Sequence, residues 1–274
     1  MTPMPAPTRR AGSGEPVLLL HPFLLSHHVW DDVMDALSDS YDLFAVTLPG
    51  HWGGRPISPR ALDVPALADD VEAWLDEIGW DTCHIAGNSL GGWVAVELER
   101  RGRARSLTLI APAGGWRHLS RTALTVGGKF LTLAPFIGLG RLLGDVFAKR
   151  RWVQRAALLV VSRHGGAVSR SAATDYIRAA THCPSFIPFL WSGLRGDGVA
   201  GLTEVSVPTT LMLAEHDVLL PNPSCSKRFL DELPSTTTHL MLPGVGHVPM
   251  YENAPLVAAE LRSAFIRHRS ETAA

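Results

Sequence analysis

The sequence predicts an α/β protein in which a mostly parallel sheet is flanked by helices and interrupted by a helical insertion. Short apolar runs alternate with helical patterns over the first 110 residues and again after residue 208. Between about residues 113 and 202 there is no clear buried strand, only helical runs broken by glycine and proline. The composition, 46% hydrophobic and 19% charged over 274 residues, suits a folded globular chain.

The elements of the first half follow from short apolar runs and from helical periodicity. Strands are predicted at residues 17–20 (VLLL), 43–48 (LFAVTL), 82–86 and 107–110. A helix is predicted at residues 30–37, and another at 93–99. The helix at 64–78 has the clearest pattern, because its apolar residues recur at three- and four-residue steps: Leu67, Val71, Trp74, Leu75 and Ile78.

The α/β pattern resumes with a strand at residues 209–213, a helix at 224–233, a strand at 239–242 and a final helix at 255–267. We therefore divide the chain into a flexible N-terminal tail (1–14), an α/β body (15–113 and 203–274) and a helical cap or lid (114–202). The apolar runs 131–139 and 156–161 have no strand partner, so we expect them to bury against the body and cover the site.

Charge and cysteine content exclude several function classes. The net charge of −1 argues against a nucleic-acid partner. The most apolar stretch, residues 130–140, is too short for a stable membrane span, which needs about 20 residues. Cys83, Cys183 and Cys225 have no metal-like spacing and are expected to be reduced core thiols, which fits a cytoplasmic protein.

The segment Gly87-Asn88-Ser89-Leu90-Gly91 joins a predicted strand to a predicted helix. A Gly-x-Ser-x-Gly turn in that position is the pattern of a nucleophile elbow. Small residues are needed two positions before and after the serine, because the turn is tight and packs against neighbouring strands. The serine then lies at a helix N-terminus, where backbone N–H groups stabilise a developing anion.

A serine hydroxyl needs a base, and the base needs an acid to orient it. His247 follows the last predicted strand, and Asp217 follows the strand before it, in Ala214-Glu215-His216-Asp217. Both therefore belong to the carboxyl edge of the sheet, where open α/β sheets place their sites. We predict a Ser89–His247–Asp217 triad, with Glu215 as the competing candidate for the acid.

Five blocks resemble the capped members of the α/β-hydrolase family: GEPVLLLHPF, LPGHWGGRP, AGNSLGGW, LAEHDVLLP and LPGVGHVPMYENAP. The resemblance implies an oxyanion hole made by the backbone N–H groups of Phe23 and Leu90. Family members usually have glycine where this chain has Pro22, but the donor belongs to the next residue, so we expect the hole to remain intact. The short N-terminus implies that the family's leading strand pair is shortened.

The resemblance implies a serine hydrolase that cleaves a carboxylic ester or related acyl compound, a small molecule, through an acyl-enzyme on Ser89. Water completes that reaction, so no cofactor or metal is expected. Two alternatives stay open: a carbon–carbon bond hydrolase of the meta-cleavage type, whose elbow is similar, and a non-catalytic ligand receptor on a hydrolase scaffold.

Aromatic and basic residues give weaker signals. Trp52, Trp93 and Trp191 are candidate substrate contacts, although tryptophans are more often plain core. His21 and His51 are expected to be structural. Residues 115–200 contain 12 Arg and Lys against three Asp, a net charge of +9. This excess is either an ordinary solvated face or a rim that attracts an anionic substrate or a membrane surface.

Overall fold

Seven strands form one sheet in a computed structural model that describes residues 4–58, 62–163 and 168–272. The strands are β1 (Thr8–Ala11), β2 (Glu15–Leu20), β3 (Tyr41–Val46), β4 (Cys83–Asn88), β5 (Ala104–Ile110), β6 (Thr209–Ala214) and β7 (Thr238–Leu242). Their order in the sheet is β1-β3-β2-β4-β5-β6-β7. All neighbouring pairs are parallel except β1 with β3. The predicted fold class is therefore confirmed.

The described helices are α1 (Asp31–Leu37), α2 (Val64–Ile78), α3 (Leu90–Arg100), α4 (Arg121–Ala148), α5 (Arg151–Leu158), α6 (Arg170–Thr181), α7 (Phe186–Arg195), α8 (Lys227–Glu232), α9 (Pro249–Glu252) and α10 (Ala254–Thr272). Helix α2 begins and ends at the predicted residues. Asp63 caps its N-terminus by accepting the N–H of Ala66, and Gly79 ends it in the left-handed conformation (φ 76°).

Helices cover both faces of the sheet, because alternate residues of the central strands point to opposite sides. On β2, Leu18 and Leu20 belong to the cluster that includes α2 and α3. Val17 and Leu19 belong to the cluster that includes α1 and α10. Since both faces are buried, the strands are continuous apolar runs rather than alternating ones.

The helices α4 to α7 form an insertion between β5 and β6. Ser120 caps α4, and Ser169 caps α6, each by accepting a backbone N–H three residues later. Helix α4 packs mainly on α6 and, over a smaller area, on α7. Its helical path is broken at Gly144, which has φ 55° and ψ −137°.

Two expectations about these segments need correction. The predicted tail contains a strand, since residues 8–11 form β1 on the edge of the sheet, where Arg9 pairs with Asp31 and Arg10 with Asp42. A four-residue strand held by charged side chains has no apolar signature, so periodicity does not detect it. The apolar insertion runs are only partly buried: Ile137 and Leu158 are buried, whereas residues such as Leu139 and Leu159 are exposed.

Candidate active site

Ser89 occupies the strained corner between β4 and α3. Its backbone has φ 55° and ψ −113°, which L-residues rarely adopt. The corner closes only around glycines, because a Cβ on Gly87 would lie 2.2 Å from the carbonyl oxygen of Gly91. The Ser89 N–H donates to the carbonyl of Ile110 on β5, and its carbonyl accepts the N–H of Ala113. The elbow is thus fixed from both sides.

His247 and Asp217 are paired in the loops after β7 and β6. The Nδ1 of His247 donates to Oδ2 of Asp217 at 2.7 Å, and both side chains are almost completely buried. The other oxygen of Asp217, Oδ1, accepts the backbone N–H groups of Leu219 and Leu220 at 3.0 and 2.7 Å. The Nε2 of His247 is buried with no hydrogen-bond partner among the described residues. This nitrogen is therefore available to accept a proton.

Ser89 and His247 line the same cavity, which brings the predicted nucleophile and base to one place. Glu215 lies elsewhere, because its Oε2 accepts the N–H of Gly244 at 2.8 Å. In the same loop, Glu252 accepts the N–H of Gly246 at 2.6 Å. Both carboxylates hold the loop that carries His247, and neither takes the position of the triad acid.

Asn88 is a site residue that the sequence analysis missed. It is fully buried, and its side-chain amide donates to the carbonyl oxygens of Ile110, at 2.9 Å, and His247, at 3.1 Å. It therefore ties the strand that carries the nucleophile to the loop that carries the base. The sequence feature that could have pointed to Asn88 is its polar amide side chain, which ends an otherwise apolar strand directly before the serine.

The loop after β2 carries Pro22 and Phe23 beside the serine. His21 stabilises the start of this loop: its Nδ1 donates to the carbonyl of Pro22 at 2.8 Å, and its Nε2 accepts the N–H of Leu48 at 2.9 Å. Burial lowers the pKa of His21 well below its usual value, with a smaller effect from neighbouring His51. A neutral imidazole can make both bonds, so His21 has the structural role expected for it.

Two apolar cavities meet at Ser89. The first has a volume of about 50 Å³. Among the described residues, its lining carries no charged side chain and includes Phe23, Leu90, Trp93, Trp116 and Phe130. The second, which also contains His247, is lined by residues of α4, α6, the segment that follows α5 and the Phe23 loop, including Leu24, Leu133 and Tyr176. The insertion thus covers the serine with apolar surface.

The three candidate tryptophans have different positions. Trp93 lines the first cavity together with Ser89. Trp52 is buried in a different pocket, near His182. Trp191 is 58% exposed and stacks with the guanidinium of Arg195 at 4.2 Å, so it points away from the site. Of the three, only Trp93 therefore remains a candidate substrate contact, because the other two were assigned from residue type without knowledge of the direction of their side chains.

Within residues 4–58, 62–163 and 168–272, no group of three or more His, Cys, Asp or Glu side chains could hold a metal ion. The three cysteines are free and buried, as expected. Burial raises the pKa of the Cys83 and Cys183 thiols to about 12, so neither is a thiolate at neutral pH.

Comparison with known proteins places this chain among hydrolases. The pattern of the alpha/beta hydrolase family matches residues 17–260. Epoxide hydrolase EphH of Mycobacterium tuberculosis is 44% identical over 200 residues, which cover 73% of this chain and 93% of that protein. Pimeloyl-[acyl-carrier protein] methyl ester esterase of Aeromonas hydrophila is 27% identical over 258 residues, which cover 90% of this chain and 93% of that protein.

The fold is also similar to that of a thermophilic esterase from Thermogutta terrifontis, with a TM-score of 0.74 and 22% identity, covering 95% of this chain and 93% of that one. The relatives are named as hydrolases, and the chain is a hydrolase rather than a non-catalytic receptor.

Proposed function

The chain belongs to the α/β-hydrolase family, and we propose that within this family it is a serine hydrolase that cleaves an apolar carboxylic ester through an acyl-enzyme on Ser89. The observation that carries the proposal is the joint placement of an elbow serine and a carboxylate-paired histidine on one apolar cavity. These are the parts that acyl transfer requires: a nucleophile, a base and a group that orients the base.

The proposed roles follow from the hydrogen bonds. Because Nδ1 of His247 donates to Asp217, Nε2 is the atom that accepts the Ser89 proton and later returns it to the leaving alcohol. Asp217 is held by two backbone N–H groups, so it keeps the imidazole in one tautomer and stabilises the imidazolium. Water activated by His247 then hydrolyses the acyl-enzyme, which requires no cofactor.

The oxyanion donors we propose are the backbone N–H groups of Leu90 and Phe23. Leu90 is the first residue of α3, and the first N–H groups of a helix have no intrahelical partner. Phe23 and Leu90 both line the cavity beside Ser89. Such donors stabilise the charge that develops on the carbonyl oxygen of the tetrahedral intermediate.

The cavities support an uncharged, apolar substrate. The helical insertion would act as a lid, because Phe130, Leu133 and Tyr176 line the cavity over Ser89 and His247. A dry, apolar surround strengthens the interaction between the oxyanion and its donors. The three free, buried thiols support a reducing, cytoplasmic location.

Epoxide hydrolysis is the second candidate, because the relative that is 44% identical is named an epoxide hydrolase. A serine nucleophile does not suit epoxide hydrolysis through a covalent intermediate. If a serine hydroxyl opened an epoxide, the product would be an ether, which has no carbonyl for water to attack. A carboxylate nucleophile would give an ester that water can cleave. With Ser89 at the elbow, epoxide opening would require direct attack by water activated by His247.

The experiment compares p-nitrophenyl esters of rising chain length with an aryl epoxide, using wild type, Ser89→Ala and the control Ser224→Ala, whose serine is exposed. We expect ester turnover, a loss of kcat of about 10³-fold or more in Ser89→Ala, and no loss in the control. A fluorophosphonate should label Ser89 alone. Epoxide turnover without ester turnover, or full esterase activity in Ser89→Ala, would overturn the proposal.

A further inference from the structure

The solvent side of α4 is apolar. Its exposed residues Leu124, Leu131, Leu139 and Leu142 lie along one side of the helix by their spacing, and Val146, beyond the break at Gly144, is also exposed. Leu142 is 81% exposed. Among the described residues, α4 is the one helix long and apolar enough to cross a membrane by length and composition, yet only 17% of its most apolar window is buried. It is therefore not an ordinary core helix.

The opposite side of α4 is buried in the protein through residues such as Val126, Ile137 and Phe147. A membrane span would have to remove these residues from their packing. The exposed side can instead meet an apolar phase while the helix stays on the body. We call the exposed residues of α4 and α5 the outer face.

Cationic side chains lie on this outer face or beside it. Arg141, Arg150, Arg151 and Arg155 are exposed, and none forms an ion pair with any residue the structure describes. The acid closest in sequence, Asp145, is already engaged by Arg178 at 2.7 and 2.8 Å. The +9 charge of residues 115–200 is thus not neutralised within the insertion. Trp152, which is 64% exposed, lies in sequence among these arginines.

A third apolar cavity, of about 200 Å³, lies between α4, α5 and α6. Thr132 and Ala156 line it and are exposed, so it reaches the surface between α4 and α5. At its inner end, Leu24, Leu133, Val160 and Tyr176 also line the cavity that contains Ser89 and His247. The third cavity is therefore separated from the cavity at the serine only by apolar side chains that line both.

We propose that the outer face docks on the surface of an anionic lipid bilayer. Exposed leucines and a tryptophan enter the apolar boundary, while the arginines contact the anionic lipid headgroups. A second copy of this chain fits less well, because the only acid of α4 and α5, Asp145, is already paired with Arg178, so a two-fold contact would bury the arginines without partners. In this position the third cavity opens towards the bilayer and can take an acyl chain from it, a consequence that rests on the proposed function.

Docking on vesicles is measured with a variant that is expected to be inactive. A lack of binding would therefore count against docking alone and not against the proposed esterase activity. The full-length Ser89→Ala protein is sedimented with phosphatidylcholine vesicles, with or without phosphatidylserine, at about 20 and about 300 mM salt. We expect binding to the anionic vesicles that weakens with salt. Replacing Arg150, Arg151 and Arg155 with Gln should weaken it by about 10²-fold.

The contribution of the apolar residues of the outer face to vesicle binding is tested with the double variant Leu142→Ser/Val146→Ser. Its control is Leu230→Ser/Met241→Ser, whose residues are exposed on the body. We expect at least about tenfold weaker binding in the first pair only. Anionic vesicles should also shift the fluorescence emission of Trp152, and Trp152→Phe should lack that change. Equal binding to neutral vesicles, no binding, equal loss in the control, or a dimer that Leu142→Ser/Val146→Ser dissociates would each overturn the proposal.

Discussion

Asn88 and Ser89 are neighbours in the chain but do different work. In the proposed mechanism the serine carries the reacting oxygen, whereas the Asn88 amide donates to the carbonyl oxygens of Ile110 and His247. Catalysis requires the base within hydrogen-bonding reach of the nucleophile, and small displacements are costly. We therefore propose that Asn88 is a positioning residue that acts through the backbone of His247.

We predict that Asn88→Leu lowers kcat by about 10–10²-fold with little change in KM, because the His247 loop loses its tie to β4. The variant also removes the Asn88 donor from the carbonyl of His247 and one of the two donors from the carbonyl of Ile110, so the free energy of unfolding should fall by about 1–3 kcal/mol. Steady-state kinetics and urea unfolding measure both. The control is Thr108→Val, since the buried Thr108 hydroxyl has no partner among the described residues. Unchanged kcat in Asn88→Leu would refute the role.

The elbow is also a packing contact between two elements. Helix α3 approaches β2 so closely that a Cβ on Gly91 would lie 2.2 Å from the carbonyl oxygen of Leu20. That atom is backbone in the centre of the sheet and cannot move aside cheaply. The glycine at this position sets how near the helix, and with it the serine, lies to the sheet.

We predict that Gly91→Ala destabilises the protein by about 1–3 kcal/mol or more and impairs the elbow. The matched control is Gly128→Ala, on the exposed side of α4, where an added Cβ has nothing within 4 Å. Alanine there should stabilise by up to about 1 kcal/mol, because it favours the helix. Urea unfolding of both variants checks this. If the two variants changed the free energy of unfolding equally, the close contact between α3 and β2 would not be what makes Gly91 necessary.

Buried histidines make the stability of the whole molecule depend on pH. Burial lowers the pKa of His51 to about 4, and burial together with neighbouring His28 lowers that of His27 to about 4. The pKa values of His21 and His268 are also lowered, mainly by burial. His28 opposes this trend, because its hydrogen bond to Asp31 raises its pKa.

A lowered histidine pKa means that the unfolded chain binds more protons than the folded one between pH 4 and about 6.5. The stability from these histidines is complete above about pH 6.5 and is lost as pH falls towards 4. We predict a declining free energy of unfolding over that range, with each buried histidine contributing up to about 1.4 kcal/mol per pH unit.

Urea unfolding between pH 7.5 and 4.5 measures the slope. His51→Asn should make it shallower, whereas His216→Asn, at an exposed position, should leave it unchanged. An identical slope in wild type and His51→Asn would contradict the assignment to His51.

The sequence alone determined the α/β class, the position of the insertion, and the family. Buried parallel strands must be apolar runs, and a nucleophile elbow tolerates little besides glycine around its serine, so both leave local marks. It also named Ser89, Asp217 and His247 as candidates, because residues that follow parallel strands share one edge of the sheet.

Only the tertiary structure decided which way each side chain points and which residues far apart in the sequence are in contact. Asn88 reaches His247 across 159 positions of sequence. Trp191 and Leu142 face solvent, although their residue types suggested burial. Strand β1 pairs with β3 and directs arginines to acids of the body, so it carries no apolar pattern. Apolar character predicts that a side chain seeks an apolar neighbour, but which neighbour it meets, the core, a substrate or a bilayer, is set by packing between elements that local sequence does not encode.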